Sequence, residues 1–275
     1  MTPNRARSTG HAESERDADD PHWRYLADKA APAAVLTYGI DAHADVQGAI
    51  AAADASGSKV KVTHGAESVE IALPLVGRFN VHNALAAAAA GVAAGVPLAT
   101  AKAALERARP VRGRMERVDA GQPFTVIVDY AHTPESLDKV LSLLRPLTKG
   151  QLIAVFGSAG ERDRTKRPRL AETAAKYADL FVITQEDPRL EDRGAILREI
   201  EAGAIGAGKK SGADYLVIDD RAEAVREAIR RARPGDTVLL AGKGHEGSII
   251  VGEEKLPWDE AGAARDALRE IGFAA

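Results

Sequence analysis

The stretch VIVDYAHTPESL at 126–137 carries three apolar β-formers into Asp129 and sets His132 three residues further on, ahead of Thr133 and Pro134. A carboxylate can hold ribose hydroxyls and an imidazole can stand beside phosphate, so the pair has the chemistry of a nucleotide contact. Thr133 as an N-cap, with Pro134 at the first helical position, is sound helix-starting chemistry without any ligand. Capping accounts for Thr133 and Pro134 but not for Asp129 or His132. FGSAGERD (156–163) places small residues where backbone N–H groups can approach an anion, or simply make a tight turn. QEDPRLED (185–192) sets Arg189, whose planar fork suits a carboxylate, beside Glu186 and Asp187, which suit an ammonium. A zwitterionic amino acid would meet both signs there; a solvated loop around a proline turn would look the same. In AGKGHEG (241–247), Gly242 and Gly244 flank Lys243, and His245 and Glu246 follow: a ligand loop, or a left-handed turn with a surface lysine. GRFNVHN (77–83) offers Asn80 or Asn83 to a purine edge, or Asn80 as an N-cap. His132, His245 and the nearby acids lack the spacing of a zinc site, so no metal ligand is assigned.

These groups need elements to hold them. From Pro110 and Gly113 onward, strands are expected near 124–129, 151–157, 180–184, 214–218 and 236–241. Helices are expected near 134–145, 166–178, 193–206, 220–233 and 259–271. Short Val- and Ile-rich runs separated by amphipathic helices specify an α/β fold with a mostly parallel sheet covered on both faces. In such sheets ligands bind outside the C-terminal strand ends. Four polar clusters stand at four of those ends, and Asp129, Arg189 and Glu246 are expected to share one pocket. The fifth end, Asp219-Asp220, reads as a helix cap.

The earlier segment is less regular. Residues 1–20 are polar and expected to be a disordered tail, and 21–110 form a first domain. A helical pattern begins at Trp23, AVLTYGI (34–40) reads as a strand, and 59–65 with 68–75 as a hairpin. An Ala-rich helix follows GRFNVHN, and another spans about 99–108. The second domain is 111–275.

The chain has 275 residues, 45% hydrophobic and 28% charged, which suits a globular protein with a real core. A formal net charge of −3 gives no argument for nucleic acid or membrane binding. Cysteine is absent, which excludes disulfides and thiolate chemistry. No secretory signal is seen at the start, and a cytoplasmic location is the expectation.

Taken in order, DADDP (17–21), LTYGI (36–40), LPLVGRFNVHNALAA (73–87), VRGRMERV (111–118), VDYAHTPESL (128–137), FGSAGERDRTKRP (156–168), EDPRLED (186–192), DRAEAVREAI (220–229) and AGKGHEG (241–247) resemble the Mur ligases of peptidoglycan synthesis. The likeness is to the type that adds a diamino acid to UDP-N-acetylmuramoyl-alanyl-glutamate, and it covers about 17–271. It implies a Rossmann-like C-terminal domain preceded by part of the family's central ATPase domain. It also implies an ATP- and Mg²⁺-dependent amide ligation through an acyl phosphate. By the same resemblance Asn80, Arg114, Asp129 and His132 would meet the nucleotide. Arg162, Glu186, Asp187, Arg189, Gly242 and Glu246 would meet the incoming diamino acid. No residue is assigned a catalytic role.

The family's phosphate loop, G-T-x-G-K-[ST], and its N-terminal uridine-nucleotide domain have no counterpart in these residues. The expectation is a truncated ligase that does not ligate by itself and meets the UDP-linked dipeptide only when the missing domains are supplied. Apolar edges around 59–75 would then promote self-association. The family's diaminopimelate enzymes usually show D-N-P-R where this chain has Glu186-Asp187-Pro188-Arg189. Asp187 would favour lysine or ornithine, Arg189 a second carboxylate, and the sequence leaves that choice open. A nicotinamide oxidoreductase is disfavoured, because no G-x-G-x-x-G occurs.

Overall fold

The computed structural model describes residues 13–30, 33–54 and 57–273. The chain separates into two compact units between Arg109 and Pro110.

In the first unit, β1 (Glu13–Asp17), α1 (Trp23–Ala30), β2 (Ala34–Gly39), β3 (Val46–Asp54), β4 (Gly57–His64) and β5 (Glu67–Leu73) are followed by α2 (Arg78–Ala93) and α3 (Leu98–Leu105). The sheet order is β1-β2-β3-β4-β5, parallel from β1 to β3 and antiparallel from β3 to β5. Val46, Val60, Val62, Ile71 and Leu73 alternate onto one face and meet Val81, Leu85, Ala88 and Leu98 of the two helices. The alanines let α2 lie close to the sheet.

Three expectations change here. Residues 1–12 lie outside the described residues, but Glu13–Asp17, taken as part of a disordered tail, pair with Ala34–Tyr38 as strand. Backbone pairing to β2 orders a segment whose composition carries no apolar signal. β3 was not expected at all: its outer half, rich in alanine and exposed, lacks the β-branched signature. The expected hairpin is present as β4–β5, but β4 lies between β3 and β5 with both edges paired, so of the apolar edges expected around 59–75 only that of β5 lies at an edge of the sheet. Asp19 pins the turn after β2, accepting backbone N–H bonds from Ile40, Asp41 and Ala42.

The second unit contains β6 (Glu116–Val118), β7 (Thr125–Asp129), α4 (Pro134–Leu147), β8 (Leu152–Phe156), α5 (Lys166–Tyr177), β9 (Leu180–Ile183), α6 (Arg193–Gly206) and β10 (Tyr215–Val217). It continues with α7 (Arg221–Arg231), β11 (Thr237–Ala241), β12 (Ser248–Val251), β13 (Glu254–Pro257) and α8 (Glu260–Glu270). The main sheet runs β10-β9-β8-β11-β7-β6, parallel except for β6 at one edge. β12 and β13 form a separate antiparallel hairpin that the sequence reading did not anticipate.

Every residue of β8 and β11 is buried, as expected for strands covered on both faces. Val126, Val128, Ile153, Val155, Val238 and Leu240 face Ala224, Val225, Ile229, Ala264 and Leu268 of α7 and α8. Period two turns Ile127, Ala154 and Leu239 the other way, and they too are buried. There α4 packs on α5, and α5 on α6. The helix that leaves β11 therefore covers the opposite face from those that leave its neighbours β7 and β8. That arrangement opens a crevice at the C-terminal strand ends. α4 begins as its sequence requires: Thr133 Oγ1 accepts from Ser136 N, with Pro134 at the first position. Asp220 caps α7 in the same way, accepting from Glu223 N.

The strand ends are tied together by Arg221, whose side chain is fully buried. It donates to Glu260 on α8 by a forked pair at 2.9 and 2.7 Å, to the Gln185 carbonyl beyond β9 and to the Ala241 carbonyl of β11. Trp258 Nε1 donates to the same Glu260 carboxylate. Removing one partner of a buried pair strands the other charge, at about 3–5 kcal/mol. Arg221→Met is expected to lose that much in urea unfolding followed by Trp258 fluorescence. A loss below about 1 kcal/mol would show that Glu260 is not relying on it.

Candidate functional site

The loops after β7, β8, β9 and β11 border one cavity of about 350 Å³ in the second unit. The loop after β7 contributes Tyr130 and His132; that after β8, Ala159 and Arg162; that after β9, Glu186, Asp187 and Arg189; and that after β11, Glu246. Lys166, in the first turn of α5, completes the wall.

The loops hold each other through the backbone. Gly160 N donates to the Asp187 carbonyl at 2.8 Å, and a Cβ at Gly160 would fall 2.0 Å from the Pro188 carbonyl oxygen. Glycine is thus needed there for close approach of two loops, not for an anion. Gly242, with φ of 106°, donates to the Asp129 carbonyl, and a Cβ on it would lie 2.9 Å from Glu186 Oε2. Gly242 therefore acts by leaving Glu186 room rather than by side-chain contact.

The charged groups differ in availability. Lys243 is wholly buried, with Nζ 2.8 Å from Asp187 Oδ1 and 2.7 Å from Glu246 Oε2. The reading of Lys243 as a surface lysine is overturned: the apolar strand before it and the acids at 187 and 246 draw it inward. Lys166 Nζ donates to the His132 carbonyl at 2.9 Å. Arg162 is exposed at the rim. Arg189 takes a left-handed backbone, φ 54°, and its Nε is sealed without a partner among the described residues. Glu186 is sealed too, and its Oε2 has no such partner. Burial pushes the Glu186 carboxyl above its ordinary value, against the opposing pull of Lys166, Arg221 and Lys243.

The expected nucleotide residues fare differently. Asp129 lies at the end of β7, but its carboxylate is turned away from the cavity. Oδ2 accepts from Met115 N and Oδ1 from Ala131 N, both at 2.8 Å. Burial still drives its pKa upward, and those amides oppose the shift. Of the trio expected to share a pocket, Arg189 and Glu246 line the cavity and Asp129 does not. Arg114 lays its guanidinium over the Tyr130 ring at 4.6 Å. His132 Nδ1 lies 2.9 Å from the Tyr130 carbonyl, and its ring is 4.6 Å from that of Tyr130. Asn80 belongs to the first unit, within α2. Its Nδ2 donates to the Val76 carbonyl, and Gly77 rather than Asn80 is the N-cap.

Sequence reasoning missed Lys166, Tyr130 and Lys243 as members of the site. Only Lys243 had a usable signal: two flanking glycines directly after an unbroken apolar strand. Among the described residues, the trio with metal-ligand separations is Asp17, Asp19 and His82 in the first unit, outside this cavity. Both Asp19 oxygens are already engaged by backbone amides, which suits a loop clamp. No described helix is long and apolar enough to cross a membrane.

Comparison with known proteins adds the following. A family model described as the Mur ligase middle domain matches residues 16–91, and one described as the Mur ligase glutamate ligase domain matches 113–244. The chain is 56% identical over 258 residues to a UDP-N-acetylmuramyl-tripeptide synthetase of Roseiflexus sp. (strain RS-1), covering 94% of this chain and 51% of that protein. It is 44% identical over 255 residues to a UDP-N-acetylmuramoyl-L-alanyl-D-glutamate–2,6-diaminopimelate ligase of Bacillus velezensis, covering 93% and 51%. A solved structure of a ligase with that last name shares 30% identity at a TM-score of 0.66, over 95% of this chain and 54% of the other. The chain spans about half the length of the curated relatives it matches.

The raised Glu186 pKa has a signed consequence. The folded chain holds this proton more tightly than the unfolded chain does. The stability it contributes is complete below about 4.5, the ordinary value, and is lost as pH rises through the higher folded value. Glu186→Gln, which imitates the neutral acid, should therefore gain stability relative to the unchanged chain between about pH 4 and about pH 8, read as urea midpoints. A difference that stays constant across that range would contradict the burial argument.

Proposed function

Since this chain belongs to the Mur ligase family, we propose that it provides the amino-acid half-site of a ligase that adds a diamino acid to UDP-N-acetylmuramoyl-alanyl-glutamate during peptidoglycan synthesis. The observation that carries the reading is the single cavity bordered by four strand-end loops, which combines Arg189, Arg162 and Lys166 with Glu186 and Glu246. Arginine forks suit a carboxylate, and carboxylates suit an ammonium. A zwitterion held by both is fixed in position and orientation. That is the main contribution a protein makes when an amine attacks an activated carboxyl group. The relatives' names favour diaminopimelate as the amino acid.

The nucleotide side fits less well. The family reaction draws on ATP and Mg²⁺, but these 275 residues contain no phosphate loop. The Asp129 carboxylate, expected to meet ribose, is buried and committed to two backbone amides. Arg114, stacked on Tyr130, is the group best exposed to meet a nucleotide.

The division of labour has a direct test. The purified chain is expected to bind a diamino acid by isothermal titration and to show no ATP- and Mg²⁺-dependent ligation until a polypeptide with a phosphate-loop domain is added. Ligase activity from the purified chain alone would contradict it.

A further inference from the structure

Four carboxylates border the cavity, and among the described residues only Glu186 has a buried oxygen without a partner. Asp163 is exposed, and its Oδ1 accepts from Thr165 N and Oγ1. Asp187 Oδ1 accepts from Lys243 Nζ at 2.8 Å and from Ile250 N at 2.9 Å. Glu246 Oε2 lies 2.7 Å from the same Nζ, and its Oε1 accepts from the Tyr130 hydroxyl at 3.2 Å. Glu186 Oε2 has no partner among the described residues. Lys243 is 0% exposed and Glu246 34% exposed, so the lysine is fixed in place while the glutamate retains access to the cavity.

We infer that Lys243 is a positioning residue of this site and that Asp187 is its counter-ion rather than a contact for the incoming amino acid. The inference rests on the cavity being the diamino-acid site. A buried ammonium left alone is costly, and two carboxylates that close would repel each other without it. Lys243 answers both requirements. It cancels the charge of Asp187, so Asp187 adds no free acid to the cavity. It also holds the Glu246 carboxylate in a set orientation.

Asp187 has a second structural task. Through Ile250 N it fastens β12, whose Ile250 carbonyl accepts from Arg189 N, while Gly252 N donates to the Arg189 carbonyl. Arg189 is thus gripped on both sides by the hairpin that Asp187 anchors. The pair Asp187–Lys243 sets the starting positions of Arg189 and Glu246. The ligand's charges are then read by Arg189, Glu246 and Glu186.

The test is isothermal titration of lysine, with two amino groups and one carboxylate, and of diaminopimelate, with two of each. Both are titrated into the unchanged chain, Asp187→Asn, Lys243→Met, and the double variant. An asparagine can still accept from Ile250 N and Lys243, so Asp187→Asn should hold lysine affinity within about threefold. It should raise the diaminopimelate-to-lysine affinity ratio severalfold, because one negative charge beside the cavity is removed while Lys243 keeps only Glu246 as counter-charge. Lys243→Met should weaken both ligands about tenfold or more, and the double variant should recover the part of that loss that comes from the stranded Asp187 charge. A direct substrate contact would give no such rescue. A tenfold loss of both ligands in Asp187→Asn, or a double variant no better than Lys243→Met, overturns the inference and leaves the functional reading standing. If the unchanged chain binds neither amino acid, the functional reading falls and takes the inference with it. Should Lys243→Met fail to fold, the Asp187→Asn titration decides alone.

Discussion

A cation sealed from water must find its counter-charges within the protein, and in this molecule that requirement organises the working end of the parallel sheet. Lys243 leaves β11 directly into the interior and brings together acids from two different loops, Asp187 after β9 and Glu246 after β11. Arg221 does the same on the other side of the strand ends, fastening the Gln185 and Ala241 carbonyls to Glu260 of α8. Neither pair is an efficient way to gain stability, since apolar side chains of similar volume serve as well or better. What they provide is geometry: strand ends that would otherwise carry loose loops are clamped to one another, and the polar groups between them face a common cavity.

Loop contacts through glycine follow the same logic. The loop after β8 lies against that after β9 because Gly160 has no side chain to keep them apart. Gly242 leaves space for Glu186 in the same manner. With the loops close and the cations buried, Glu186 Oε2 and Arg189 Nε are left buried without a hydrogen-bond partner among the described residues.

The sheet of the second unit was legible because its strands are buried on both faces. Apolar runs such as those of β8 and β11, interrupted by amphipathic helices, leave little room for another reading. The positions of Thr133, Pro134 and Asp220 followed from capping chemistry alone. What stayed hidden is what depends on contacts between distant residues. Asp129 looked like a ligand group because sequence shows a carboxylate at a strand end, not the two amides of Met115 and Ala131 that claim it. Lys243 looked like a surface residue because its partners come from 56 residues earlier and three residues later. β1 and β3 were missed because pairing, not apolar pattern, makes them strands. The β12–β13 hairpin matters for the site through its hold on Arg189, which no local pattern announces.

The central claim is that the loops after β7, β8, β9 and β11 act as one receptor for a zwitterion. Backbone amide NMR of the chain, titrated with diaminopimelate, addresses it most directly. The account predicts that the amides of residues 130–133, 157–162, 186–187, 189–190 and 242–250 shift together, with one shared saturation curve. Shifts confined to one loop, or gathered elsewhere on the chain, would contradict it.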